Sequence, residues 1–355
     1  MKKIITLFLC LTLLFAFCAC GEEPEPAADT RTVTDMAGRE VDIPADVETV
    51  FATGAVGGVF MYTLAPDMLA AWNGDLRDSE KAFIDEAYWD LPALGTWKGT
   101  NFTGSMEDLI ALEPDIIISM GDVTVDYASE ADEIESLCGI PVVMVDGGLG
   151  NLDKAYTFLG DILNRQERAE ELGAYCSETL AAVEEAVKTV PEEEIRTVYY
   201  GEGVDGLETE VPGSLNAEAI AAAGGVNVAE TAETGVSRIS VSLEQVAAWD
   251  PDVILLSGDG DTAHELYQYV RANEGWATVP AAARGDVFEN PYGPYDWINR
   301  PPSVARIIGV EWLARLLYPE AYPVDLNERI RQYYSLFYHR DLTDEEITAL
   351  LEYAG

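Results

Sequence analysis

One pattern occurs twice in this chain of 355 residues and narrows the folds open to it. Residues 104–121 read GSMEDLIALEPDIIISMG and residues 241–258 read VSLEQVAAWDPDVILLSG. The copies align without a gap, placing Glu107 on Glu244, Pro114 on Pro251 and Asp115 on Asp252. In each, a serine stands where an N-cap would open a short helix. Pro-Asp then closes the helix, and an apolar run ending in glycine follows as a buried strand. The repeat predicts two lobes, each holding this helix–strand unit in an equivalent place.

Strand, glycine turn and helix alternate elsewhere too. Short apolar runs at 49–53, 115–120, 141–145, 197–200, 252–257 and 286–288 read as strands, and 55–64 has helical spacing. Residues 31–44 alternate polar and apolar around Ala37-Gly38, as a β-hairpin does. Strands separated by helices imply an α/β fold, two lobes of parallel sheet with flanking helices. The longest helical pattern runs over 151–190, with Pro191 and three glutamates after it. As one helix it would span ~57 Å, a spine joining the lobes. The expected division is a first lobe over 31–150, the spine helix over 151–190, a second lobe over 191–340 and a helical tail over 341–355.

The chain carries 64 acidic and 21 basic residues, a formal charge of −43. Such a surface cannot neutralise a row of phosphates, which excludes nucleic acid as a partner. It leaves room for a cationic pocket, because surface charge is screened within about 8 Å at physiological salt. The N-terminus has Lys2 and Lys3, an apolar run over 4–17, then Phe17-Cys18-Ala19-Cys20-Gly21 and a polar, proline-rich stretch. The run is shorter than the roughly 20 residues of a membrane span and reads as a signal-peptide core. The segment resembles a bacterial lipoprotein signal over 1–19, with Cys20 lipidated and 20–30 a tether. That places the body outside the cytoplasm, held to the membrane by its lipid. Cys138 and Cys176 could pair in an exported protein, but one stands just before a strand and the other within a helix, which favours two separate buried thiols; with only His264 and His339 beside them a closed structural zinc site is not expected.

In open α/β sheets, ligands bind beyond the carboxyl ends of the strands. Applied to both lobes, that rule selects Trp72, Trp97 and Lys98 on one side, and Tyr200, Glu202, Arg238, Tyr292, Tyr295, Trp297 and Arg300 on the other. Aromatic walls with a few cations suit a large, partly apolar, anionic ligand. Glu107 and Glu244 begin helices, where a carboxylate gains from the helix dipole; simple capping and paired anchors for a partner's arginines both fit. Catalytic signatures are thin: G-x-S-x-G, H-E-x-x-H and the P-loop pattern are missing, and with two histidines acid–base chemistry would rest on carboxylates such as Asp122 or Asp259.

The hairpin VTDMAGREVDIP, the repeated pair, GSLNAEAIAAAGGVNVA and RPPSVARIIGVEWLARLLYPE together resemble the iron-chelate and cobalamin family of substrate-binding proteins of ABC importers, over residues 31–351. The resemblance implies two α/β lobes joined by a long helix, no catalysis and no intrinsic cofactor. It also implies a monomer that hands its ligand to a permease dimer with ATPase subunits. The family's docking glutamates fall on Glu107 and Glu244. The ligand does not carry over. An iron(III) chelate of siderophore type is the first reading, because cations and aromatics occur together. Haem, cobalamin and molybdate or tungstate are alternatives, Tyr200, Tyr292 or Tyr295 being the candidate axial ligands for haem. A sensor without a permease and an extracytoplasmic hydrolase are the other classes.

Overall fold

A computed structural model describes residues 29–97, 102–232, 236–258 and 264–355. The chain opens with the expected hairpin, β1 (Thr30–Thr34) and β2 (Glu40–Pro44), with Val33 opposite Val41. The buried Asp35 carboxylate accepts from the Ala37 and Arg39 amides, the Arg39 guanidinium and the Met144 amide, which fastens the hairpin to the first lobe. That lobe comprises β3 (Val50–Ala52), α1 (Ala55–Leu64), α2 (Asp78–Lys81), α3 (Met106–Leu112), β4 (Ile116–Gly121), α4 (Val125–Cys138), β5 (Val142–Asp146) and α5 (Leu152–Leu163). Its sheet is parallel, in the order β3-β4-β5.

The spine helix requires a correction. Residues 151–190 form two helices, α5 and α6 (Gln166–Val187), because Asn164 takes a left-handed conformation at φ 55°. Asparagine tolerates that region and caps helices there; the Asn164 and Arg165 amides both close back on the Gly160 carbonyl. The two helices fold against each other with little room. A Cβ on Gly160 would lie 2.4 Å from that of Ala169, and one on Gly173 would lie 3.3 Å from the Asp153 Cα. The connecting helix is therefore α6 alone, of 22 residues and about 33 Å.

The second lobe follows with β6 (Thr197–Gly201), β7 (Glu208–Glu210), α7 (Glu218–Ala222), β8 (Val226–Asn227), β9 (Arg238–Ser240), α8 (Leu243–Trp249), β10 (Val253–Leu256), α9 (Glu265–Ala272), α10 (Pro280–Arg284), β11 (Val287–Glu289) and α11 (Arg306–Leu317). Its main sheet is parallel in the order β11-β10-β6-β8, and β7 and β9 pair antiparallel as a separate ribbon. The chain does not stay in this lobe to residue 340. Helix α12 (Leu326–Tyr338) returns to the first lobe, where Tyr338 meets Tyr62 with ring centroids 5.9 Å apart. The tail has one short helix, α13 (Asp344–Leu350), and the Tyr353 carbonyl accepts from the Glu289 amide at the edge of β11. Cys138 and Cys176 are free thiols, the second buried inside α6.

The repeated pattern is equivalent down to its hydrogen bonds. Ser105 caps α3 by accepting from the Asp108 amide, and Ser242 caps α8 by accepting from Gln245. Each helix ends on a left-handed residue, Glu113 or Asp250. Asp115 then accepts from the Thr49 amide and hydroxyl ahead of β3, and Asp252 from the Thr197 amide and hydroxyl at the start of β6. The Pro-Asp pair thus ties each repeated strand to its parallel neighbour.

Candidate functional site: the cleft between the lobes

The carboxyl ends of β6, β10 and β11 lead into Glu202, Ser257 and the loop 291–301. Facing them from the first lobe is Arg77, ahead of α2. Between them lies a cavity of about 550 Å³ lined by Arg77, Glu202, Ser257, Gly258, Tyr292 and Arg300, among others. The Arg77 guanidinium stands 5.2 Å over the Tyr292 ring, so a cation on one lobe rests on an aromatic of the other. A concavity of about 590 Å³ lies elsewhere, between residues 189–196 and Leu317–Ala321. It holds none of the expected residues and sits at the amino ends of the strands, the wrong side for a ligand in this fold.

Asp296 builds the second-lobe wall. It is fully buried and accepts from the Ile298 and Asn299 amides at 2.7 Å, from the Asn290 amide group, and from the Tyr200 and Ser257 hydroxyls at 3.3 Å. Burial pushes its carboxyl up to about 7, although the amide donors work in the opposite direction. The loop that Asp296 organises ends at Arg300, held at φ 50°, a conformation rare outside glycine and frequent at functional sites.

Arg300 and Arg238 enter a carboxylate cluster. Glu202, 1% exposed, takes Arg300 through both oxygens at 2.6 and 3.1 Å, and Arg238 at 3.4 Å. Glu210, also 1% exposed, takes Arg300 at 3.2 Å, Asn299 donates to both glutamates, and Glu208 takes Arg238 at 2.5 Å. Burial, and then the neighbouring charge of Glu202, push the Glu210 carboxyl up to about 7. The two expected cations are therefore present but already charge-paired.

Five of the expected aromatics are structural, which corrects the reading that they line the cleft. Trp97 is 1% exposed and donates to the Leu94 carbonyl, Trp72 donates to Tyr88, and Trp297 donates to the Tyr334 hydroxyl. Tyr200 is buried under Asp296, and Tyr295 is buried near Glu80, Tyr62 and Tyr338 of the first-lobe side. Their polar atoms point inward to partners, or their rings fill the core beneath the loops. Tyr292 alone of the expected aromatics lines the cavity. Lys98 and Cys20 lie outside the described residues, as does Asp259. His264 precedes α9 and meets Glu289 and the ring of Tyr353. Among the described residues no cluster of three metal-ligating side chains occurs.

Sequence reasoning missed Glu210 and Arg306. Arg306, at the start of α11 and fully buried, donates to the Gly147 carbonyl of the first lobe, and to Glu218 at 2.6 Å, Leu215 and Ser303. Glu218 in turn accepts from the Leu149 amide at 2.9 Å, so the pair clasps the two lobes. Burial pulls the Arg306 guanidinium down, and Glu218 supports its charge. Glu107 and Glu244 are exposed in the first turns of α3 and α8; the Glu244 carboxylate is held low by its own amide and by the Ser242 hydroxyl.

The sequence profile of a periplasmic binding protein family matches residues 85–292, more than half of the chain. An uncharacterised ABC transporter substrate-binding lipoprotein, YvrC of Bacillus subtilis, is 25% identical over 232 residues, which cover 61% of this chain and 66% of that relative. An ABC transporter solute-binding protein from Sulfurospirillum deleyianum superposes with a TM-score of 0.82 at 28% identity, over 91% of this chain and 99% of that one. A periplasmic solute-binding protein from Veillonella parvula superposes with a TM-score of 0.72 at 25% identity, over 92% and 98% of the two chains.

Proposed function

We propose a specific role for this chain, which belongs to the periplasmic binding protein family: it captures an anionic iron(III) chelate between its lobes and delivers it to an ABC permease dimer. The observation that carries this reading is the cavity at the strand carboxyl ends, with Arg77 on one wall and Tyr292 and Arg300 on the other. Two guanidiniums and an aromatic face border this space beside the carboxylates of Glu202 and Glu265, so a ligand with a negative group and flat apolar parts would bind by competing with carboxylates already paired to the guanidiniums. The clasp at Arg306 and the rigid α6 limit the lobes to modest closure, so the ligand is wedged rather than engulfed. The body works outside the cytoplasm, anchored through a lipid on Cys20. No helix among the described residues is long and apolar enough to cross a membrane.

Glu107 and Glu244 seat the two lobes on the permease. Their equivalent position in the repeated unit puts one carboxylate on each lobe, the arrangement that two symmetry-related arginine sites would recognise. Replacing both by arginine is expected to abolish uptake in a cell-based transport assay while leaving chelate affinity of the isolated protein unchanged. A loss of affinity, or uptake that survives the double reversal, contradicts the docking role.

A further inference from the structure

Arg300 does not wait in the cleft as a free cation. Its guanidinium is shared between Glu202 and Glu210, and Arg238 closes the same cluster from the ribbon, with Glu210 opposite Arg238 in register. Among the described residues, the charged and titratable groups around Glu210 are Glu202 at the end of β6, Glu208 on its own strand, Arg238 on β9, and Arg300 with Asp296 in the proline-rich loop. Asn299 and Asn216 supply neutral donors. Three carboxylates on two guanidiniums leave no positive charge to spare for a solute. The second Glu210 oxygen is buried without a hydrogen-bond partner, an arrangement costly for a carboxylate and tolerable for a carboxylic acid.

We propose that an anionic solute binds Arg300 by exchange, Glu210 releasing the guanidinium and taking up one proton from solvent as the solute's negative group replaces it. This deepens the reading of the cleft as a site for an anionic chelate and rests on it. Glu202 keeps its two-oxygen grip and positions the guanidinium, while Glu210 is the partner that yields. The balance is simple: one solute anion arrives, one proton is added to Glu210, and no covalent bond to carbon changes. The cleft therefore selects anions strong enough to displace a buried carboxylate, and it rejects cations.

The sign follows from the position of Glu210. Above pH 7 the free protein holds it ionised, so binding must take up a proton, and affinity falls as pH rises, by up to about tenfold per pH unit. Below pH 7 the proton is already in place and affinity levels off. In the unfolded chain the carboxyl titrates at about 4.3, below its folded value, so stability falls as pH rises from there to 7.

Two arms test this with the full-length chain in detergent. In the first, urea unfolding of the wild type and Glu210→Gln is compared from pH 5 to 8. The wild type is expected to lose stability relative to the variant as pH rises towards 7; a constant difference overturns the proton on Glu210. In the second, ferric citrate is titrated calorimetrically at pH 7.5 to 8 in buffers of different ionisation enthalpy. Uptake approaching one proton is expected, and Glu210→Gln is expected to abolish that uptake and to bind more tightly at pH 8. A residue with a merely structural role would weaken binding at every pH. Where ferric citrate does not bind, ferric catecholate and ferric hydroxamate take its place in the same titration; binding without proton uptake overturns the exchange alone, and absence of binding by all three overturns it together with the anionic-chelate reading.

Discussion

Replacing Arg306 by methionine is expected to lower the free energy of unfolding by about 3–5 kcal/mol, the usual cost of removing one partner from a buried, hydrogen-bonded ion pair. Four acceptors lose their donor in that change: the carbonyls of Gly147, Leu215 and Ser303, and the Glu218 carboxylate. Methionine fills much of the volume, so the loss measures polar groups left unsatisfied rather than a cavity. Lysine should recover little, because a single ammonium on a flexible stem cannot fan out to acceptors on both lobes. Since Gly147 belongs to the first lobe and Ser303 to the second, the variant should also loosen the cleft. Urea titration at constant m-value reads the effect; an unchanged midpoint would remove Arg306 as the clasp.

Asp296→Ala is expected to cost a similar amount, about 3–5 kcal/mol, whereas Asp296→Asn should cost less than about 1 kcal/mol. Alanine orphans the two backbone amides, the Asn290 side chain and the hydroxyls of Tyr200 and Ser257. Asparagine keeps one oxygen for the amides and turns an amino group toward the hydroxyls, which can rotate to accept. Burial already raises the Asp296 carboxyl to about 7, so folding favours its neutral form, and stability should fall as pH rises from the ordinary carboxylate range to 7. The asparagine variant should lose that contribution. Equal destabilisation by alanine and asparagine would mean that the loop 291–301 depends on charge instead of on hydrogen-bond acceptance.

The legible part of this fold is local. The repeated helix–strand unit and its serine caps depend on residues within one or two turns of each other, and the structure reproduces them in both lobes, whereas the ties of Asp115 to Thr49 and of Asp252 to Thr197 reach 66 and 55 residues along the chain. The hairpin and the parallel strands carry similarly local signals. The break at Asn164 was hidden because asparagine is tolerated within helices as well as after them, and the apolar spacing continues on both sides. The site was harder. The strand-end rule placed Trp97 and Trp297 near the cleft, but burial is decided by distant backbone. A Cβ on Gly104 would lie 1.9 Å from the Trp97 Nε1, and one on Gly309 would lie 1.9 Å from the Trp297 carbonyl oxygen. The first approach sets backbone against the Trp97 indole and the second sets α11 against the Trp297 backbone, and no spacing in the sequence announces either. Glu210 was invisible for the same reason: its partners lie 8, 28 and 90 residues away along the chain, at Glu202, Arg238 and Arg300.

The central claim is capture of an anionic chelate at Arg300, and calorimetric titration of the full-length chain with a panel of ligands tests it most directly. Ferric hydroxamate, ferric catecholate, ferric citrate, haem, cobalamin and molybdate form that panel. The account predicts saturable binding of an iron(III) chelate at one site per chain, weakened about tenfold or more by Arg300→Ala, as expected for loss of a charged hydrogen-bonding partner. Absence of binding across the panel, or tight binding that Arg300→Ala leaves untouched, would contradict it.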